Sequence, residues 1–350
     1  MLNALTLDIE DYFQVHAFSN VIRYEDWNNY ECRIEQNTDR LLEILEEAGQ
    51  NSKLKPQNSK LDHSITHSLN NSFTQKVLAT FFILGWIAER YPDLVRRIHK
   101  EGHEIACHGY AHKLIYNQSK EEFRSDIKKA KAILEDITGD GVVGYRAPSY
   151  SIIDKSKWAF EVLVEEGFKY DSSIFPIRHD YYGIPNAPRF PFIVSLNKTH
   201  NSKLKNQNST FKTQSSELNI NNSITHSLIN PNSLIEFPLS TIQLLGMNIP
   251  ISGGGYFRLF PYFIIKRGLK KINEIEGKPF IFYVHPWELD IDQPRIKTTS
   301  VLSKFRHYVN LDRTESRLKR LLMDFRFTTV KEVLEALKTK NLLTTMCIDT

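Results

Sequence analysis

Cysteine is scarce in this chain of 350 residues. Only Cys32, Cys107 and Cys347 occur, far apart and odd in number. That excludes a disulfide framework and a paired-cysteine metal site, and it fits a reducing compartment. Charge of one sign is also lacking: 45 basic residues face 41 acidic ones. No arginine-rich stripe with interleaved aromatics is present, so a nucleic-acid partner is disfavoured. No apolar run approaches the roughly 20 residues that span a bilayer. The first residues reach Asp8 without a basic segment and a long apolar core, so no secretory leader is read there. These absences lead to the expectation of a cytoplasmic protein, which could rest peripherally on the inner face of a membrane. Nothing in the sequence sets the oligomeric state.

Two tracts, 50–75 and 199–232, are poor in apolar residues and rich in Asn, Ser, Lys, Gln and Thr. They share words: Asn-Ser-Lys-Leu-Lys begins at Asn51 and again at Asn201, and Ser-Ile-Thr-His-Ser-Leu begins at Ser64 and again at Ser223. Such composition cannot offset the entropy of ordering, so both are expected to be inserted surface loops within one domain spanning 1–340. Each tract has three Lys and one acidic residue, so the rest of the chain is formally neutral. His63, His67, His200 and His226 lie in these tracts and are set aside as ligands.

The remaining residues alternate in type. Strands are expected over 2–7, 77–84, 104–107, 142–145, 234–237 and 280–284. Helices are expected over 34–48, 87–100, 120–137, 155–166, 262–275, 314–325 and 330–337, with Gly49, Gly102, Gly139 and Gly167 as stops. This order predicts an α/β protein, parallel strands covered by helices, as a barrel or a doubly wound sheet. No GxGxxG follows the first strand, which disfavours a dinucleotide fold.

In barrels of this kind chemistry collects at the C-terminal ends of strands. The first strand ends in Asp8, Glu10, Asp11 and Tyr12; three crowded carboxylates call for a cation or a proton. The third runs into His108 and His112, which a helical turn or a tight loop would aim at one point. Neutral imidazoles with a carboxylate suit zinc or a similar divalent ion. His103 is read as structural. The fourth strand ends in Arg146, Pro148, Ser149 and Tyr150; Arg146 could pair with a carboxylate of the same rim. A later strand ends in His285, a general-acid candidate, with Trp287 beyond it. The Gly253-Gly254-Gly255-Tyr256-Phe257-Arg258 segment is a poor phosphate loop, with no helix expected to open at it, and a better frame for a sugar. Tyr12, Trp86, Tyr256 and Trp287 are available to stack on a sugar, or to serve as core.

Taken together, Asp8-Ile9-Glu10-Asp11, His108 with His112, Arg146-Ala147-Pro148 and His285 resemble the NodB-homology polysaccharide deacetylases, carbohydrate esterase family 4. The stretches Leu5–Val15, Gly144–Ser151, Gly253–Arg258 and Tyr283–Glu288 look closer to one branch, the deacetylases linked to exopolysaccharide loci of exosortase systems. The resemblance implies a distorted, incomplete (β/α) TIM-like barrel, an N-acetylated glycan substrate and a divalent metal, usually zinc. It assigns His108 and His112 as ligands, Asp8 as base, His285 as acid and Arg146 as the residue orienting Asp8. The family's usual adjacent aspartates are replaced here by Asp8, Glu10 and Asp11. Glu10 is favoured as the metal carboxylate and Asp11 is the alternative. Ser149 stands where the family has an aromatic, with Tyr150 next; a backbone N–H of this loop is the expected oxyanion donor. Two rivals are an inactive glycan-binding relative and another amide hydrolase, such as a sugar-linked deformylase.

Overall fold

The computed structural model describes residues 1–51, 76–196, 233–297 and 300–348. Most of the two inserted tracts, with their four histidines, lies outside the described residues.

Strands β1 (Leu2–Ile9), β2 (Thr80–Ile83), β3 (Glu104–Cys107), β4 (Gly144–Tyr145), β5 (Tyr170–Asp171), β6 (Phe192–Leu196) and β7 (Ser233–Glu236) come first. A small hairpin, β8 (Thr241–Leu244) with β9 (Met247–Pro250), then precedes β10 (Ile281–Val284), β11 (Arg326–Thr328) and β12 (Thr344–Ile348). The order across the main sheet is β10-β1-β2-β3-β4-β5-β7-β6-β12, with β11 beside the start of β1. From β10 to β7 every pairing is parallel; β6 runs antiparallel to β7. β10 and β12 do not pair with each other, so the curved sheet stays open as an incomplete, distorted barrel.

Register decides the site. Ile83 pairs with Cys107, Cys107 with Tyr145, Tyr145 with Asp171, and Asp171 with Glu236. Parallel strands in step bring the next residues, His108, Arg146 and Ser172, to one rim. Leu7 pairs with Val284 on the other side, which brings Asp8 and His285 to that same rim. Central strands are buried on both faces, so β2 and β10 read as nearly continuous apolar runs, while β1 also buries Asn3, Thr6 and Asp8.

The helices follow from periodicity and caps. In α1 (Ile34–Asn51) Leu41, Leu42, Ile44 and Leu45 are buried; the helix continues past Gly49 into the first residues of the tract. The expected helix 87–100 is two helices, α2 (Gly85–Arg90) and α3 (Pro92–Lys100), broken at Tyr91. Pro92 forces this: it lacks an N–H and disfavours helical geometry in the residue before it, yet it is well placed in a first helical turn. α4 (Lys120–Thr138) opens on a Ser119–Glu122 capping box and ends at Gly139, φ 74°. It buries Phe123, Ile127, Ala130 and Leu134 along one face. The expected helix 155–166 is shorter, α5 (Ala159–Glu165), after a separate turn at Asp154–Ser156.

A helix does open at the triple glycine: α6 (Gly254–Leu259), followed by α7 (Tyr262–Lys270). The glycines are there for close approach. Gly253 has φ 134° and forms a bridge with Tyr283; a Cβ would lie 1.9 Å from the Tyr283 carbonyl oxygen. Gly253→Ala is therefore expected to destabilise the chain by at least about 2 kcal/mol, through strain and overpacking together. Urea unfolding of the variant checks this, and a loss below half that value would show the bridge to be adaptable. Helices α8 (Val301–Tyr308), α9 (Thr314–Asp324) and α10 (Val330–Thr339) complete the fold. Among the described residues no helix is long and apolar enough to cross a membrane.

Candidate active site

A cavity of about 460 Å³ opens at the C-terminal rim of the strands. Asp8, Glu10, His108, His112 and His285 line its floor, with Ser149, Tyr150, Tyr283 and Trp287 on the walls. A second cavity of about 530 Å³ lies at the other end of the strands, around His103, Glu104 and Asp140. There His103 accepts from the Ala79 amide and packs on Phe81, a structural role as expected.

Glu10, His108 and His112 are brought together, each offering one ligand atom, all within 4.8 Å of one another. His112 Nε2 lies 2.7 Å from Glu10 Oε2. The two histidines come from a tight loop, not a helix. Gly109 (φ 73°) and His112 (φ 51°) turn it, and the Tyr110 amide donates to Asp126 of α4 at 2.7 Å. The Gly85 and Trp86 amides at the start of α2 donate to the Gly109 and Tyr110 carbonyls. His108 Nδ1 donates to the Arg146 carbonyl at 2.8 Å, which leaves Nε2 as the unprotonated nitrogen toward the cavity. Burial holds His108 neutral, down to about 4. Burial opposes charge on Glu10 too, but His112, His285 and His108 bring its carboxyl to about 2. Two imidazoles and an ionised carboxylate that converge on one point are a donor set suited to a divalent ion.

Asp11 sits apart from this set. It accepts from the Tyr12 amide at 2.8 Å and the Arg33 amide at 2.5 Å, and burial pushes it up to about 6. It ties the start of the chain to the segment entering α1, and Glu10 is the carboxylate that meets the histidines.

Arg146 is fully buried. Its Nη1 donates to Asp8 Oδ1 at 2.6 Å and to Thr6 Oγ1 at 2.8 Å; Nε and Nη2 donate to the Ser172 carbonyl and hydroxyl. Its guanidinium also lies 4.2 Å over the Phe82 ring. Asp8 is thus held from one side, and its other oxygen lies 3.9 Å from His285 Nε2. His285 Nδ1 donates to Glu288 Oε1 at 2.6 Å. Burial alone would depress His285; the Glu288 hydrogen bond and the charges of Glu10, Glu288 and Asp8 raise it to about 9.

Other expected residues sit differently. Tyr12 and Trp86 are core, packed on Phe13. Pro148 is buried and does not line the cavity, and Tyr256 packs on Phe175, its hydroxyl near that of Tyr182. Arg258 does not face a sugar: it is buried and donates to Glu288 Oε2 at 2.7 Å and to the His307 and Val309 carbonyls. Trp287 does line the cavity, stacked between His285 and His307. Ser149 and Tyr150 both have positive φ, 51° and 55°. Such strain in side-chain-bearing residues is held by surrounding packing and clusters at functional sites. The Tyr150 amide is engaged by the Ala147 carbonyl, which leaves the Ser149 amide as the candidate donor to a substrate oxygen.

Sequence reasoning missed Glu288, Asp126 and the outer wall of His16, His179, Tyr181, Tyr182 and Arg306. Glu288 follows His285 by three residues, a capping-box spacing that could have flagged it. The outer wall comes from separate loops with no local signal.

Two family models match the sequence. Residues 63–167 match Polysaccharide deacetylase, and residues 209–335 match a Domain of unknown function (DUF3473). A peptidoglycan-N-acetylglucosamine deacetylase of Bacillus cereus is 37% identical over 99 residues, which are 25% of this chain and 36% of that protein. A peptidoglycan deacetylase of Helicobacter pylori is 31% identical over 96 residues, 27% of this chain and 32% of that protein. The matched part thus spans about a third of these relatives. A crystal structure from Mycobacterium smegmatis, assigned as a polysaccharide deacetylase, superposes with a TM-score of 0.56 at 16% identity, over 99% of this chain and 93% of that one. One from Pseudomonas aeruginosa PAO1, assigned as a probable polysaccharide deacetylase, gives 0.50 at 13% identity, over 97% and 91%. The segment 63–167, which holds both cluster histidines, Arg146 and Pro148, is thus similar to polysaccharide deacetylases, within a chain that has the fold of those structures.

Proposed function

We propose that this chain is a metal-dependent N-deacetylase that releases acetate from an amino-sugar-containing polysaccharide or lipid-linked glycan. The observation that carries this is the meeting, on one cavity floor, of the Glu10–His108–His112 set with Asp8 pinned by Arg146 and His285 backed by Glu288. The motif resemblance extends the reading to exopolysaccharide biosynthesis of the exosortase-linked branch, with zinc as the ion; the scarcity of cysteine supports a reducing compartment, at the inner face of a membrane, as the place of action.

Glu10, His108 and His112 would hold the ion, which when bound polarises the amide carbonyl and eases deprotonation of water. Arg146 holds and orients Asp8, so that Asp8 takes a proton as water attacks the acetyl carbon. The Ser149 amide meets the developing oxyanion. An amine leaves poorly until protonated. His285, held charged by Glu288, gives its Nε2 proton to that nitrogen; the C–N bond breaks, and acetate and the free amine depart. Base and acid thus have separate partners, Arg146 for Asp8 and Glu288 for His285.

Glu288→Gln is expected to lower kcat by on the order of 10–100-fold with metal content unchanged, since it removes the charge that keeps His285 protonated and aligned. Steady-state kinetics with elemental analysis check this, and an unchanged kcat would remove Glu288 from the mechanism.

The deciding experiment is metal analysis of the purified chain with acetate release from N-acetylglucosamine oligomers, before and after chelation. About one ion per chain and release that chelator stops and zinc restores are the expected results. Metal without acetate release would favour another amide hydrolase. No metal even in excess zinc would favour an inactive glycan binder.

A further inference from the structure

One helix at the mouth of the cavity carries a face that the deacetylase reading leaves unused. α8 has four sides, as 100° per residue sets them out. His307 points inward, where it stacks on Trp287. Ser303 and Arg306 line the cavity. Away from the cavity lie Val301, Leu302 and Phe305, which are 85, 56 and 54% exposed. Three adjacent apolar side chains this open to solvent on one short helix need a cover.

The chemistry around them narrows the choice. Lys304 borders the apolar arc on one side and Arg306 on the other. The neighbouring segment adds Arg295, stacked 4.2 Å over Tyr308, and Lys297, whose carbonyl accepts from Lys304 Nζ. Between this segment and α8 runs a shallow groove lined by Arg295, Ile296, Lys297, Val301, Lys304, Phe305 and Tyr308, three cations and no acid. Over 291–309 the chain has four Lys and Arg against Asp292 alone. Arg306 makes no ion pair among the described residues. Apolar side chains bracketed by cations with no acidic partner among the described residues are the pattern of a surface that enters a headgroup layer while its charges meet lipid phosphates. A protein partner would have to supply acids around an apolar centre; an anionic bilayer presents that arrangement everywhere.

We propose that α8 and the 294–297 segment dock this chain on a membrane surface containing anionic lipid, with the cavity mouth at the headgroups. The docking itself does not depend on the deacetylase reading; only the inference that the substrate is a membrane-borne glycan rests on it. Ser303 and Arg306 share α8 with the docking residues, so a glycan carried on a lipid would reach the cavity without leaving the surface.

Cosedimentation of the full chain with vesicles tests this, with phosphatidylcholine alone and with added phosphatidylglycerol, in low and high salt. Binding is expected to be at least about tenfold stronger on the anionic vesicles and to weaken with salt. The double variant Val301→Asp/Phe305→Asp, neither residue lining the cavity, is expected to lose about tenfold or more of that binding. It should still release acetate from soluble oligomers at the parent rate, which shows that it folds. Equal binding of parent and variant, or no preference for anionic vesicles, overturns the proposal. So does a concentration-dependent dimer that the variant abolishes, since a second copy would then be the cover. Vesicle binding without acetate release from any glycan keeps the docking surface and removes the deacetylase reading; acetate release without vesicle binding does the reverse.

Discussion

Asp8→Asn is expected to lower kcat/KM for acetate release by on the order of 10²–10⁴-fold while the chain still folds and still binds its metal. The substitution is isosteric and removes one capacity, acceptance of a proton at neutral pH. An asparagine carbonyl oxygen can still accept from Arg146 Nη1, and Thr6 and Ser172 continue to hold the guanidinium. Stability should therefore fall by no more than about 1–3 kcal/mol, the cost of a weakened buried hydrogen bond. Glu10, His108 and His112 are untouched, so elemental analysis should give the parent metal content. Loss of activity together with loss of metal would mean that Asp8 belongs to the ligand set. Activity within a few-fold of the parent would remove it from proton transfer altogether.

Arg146→Met is expected to cost about 3–5 kcal/mol of folding stability, more than any other single change considered above. The reason is what the arginine leaves behind. It is fully buried and supplies hydrogen bonds to Asp8, Thr6 and both Ser172 groups. It also lies near a second buried carboxyl pair, Asp171 and Glu236, whose ionisation it favours. Burial and the charge of Asp171 push Glu236 well above its ordinary range. Methionine fills much of the volume but leaves buried Asp8 without its hydrogen-bonded arginine partner. The double variant Asp8→Asn/Arg146→Met should therefore cost less than the sum of the two single changes. Urea unfolding of the three variants measures this, and strict additivity would show that the two residues do not act as a pair.

How much of this was legible in the chain depends on how local each signal is. The expected strands 2–7, 77–84 and 280–284 match β1, β2 and β10 because burial on both faces leaves their sequences mostly apolar. The long helices could be read because Gly139 and the Ser119–Glu122 pair mark ends by short-range hydrogen bonding. The expected strand 142–145 is present as Gly144–Tyr145, but Tyr170–Asp171 is too short to carry a period, and β6, β8, β9, β11 and β12 have no counterpart among the expected strands. The break at Tyr91 was visible in Pro92 but was outweighed by apolar periodicity running through it.

For the site the division is similar. Asp8, Glu10, His108, His112, Arg146 and His285 each stand at or just past a strand end, and the chain alone marks all six. It left open whether Glu10 or Asp11 meets the histidines, because both follow the same strand and either could turn inward. Only the tertiary structure separates them: the Arg33 and Tyr12 amides take Asp11, and Glu10 alone reaches His112. Arg258 looked like a ligand-binding cation in sequence. The fold instead buries it against Glu288, since α6 packs its outward-seeming arginine under the His285 turn. Residue type and strand order, which are local, were thus set by the sequence itself. Which carboxylate meets which imidazole, and which cation faces ligand or core, depends on parallel register across seven strands and on loops that meet only after the sheet has curled.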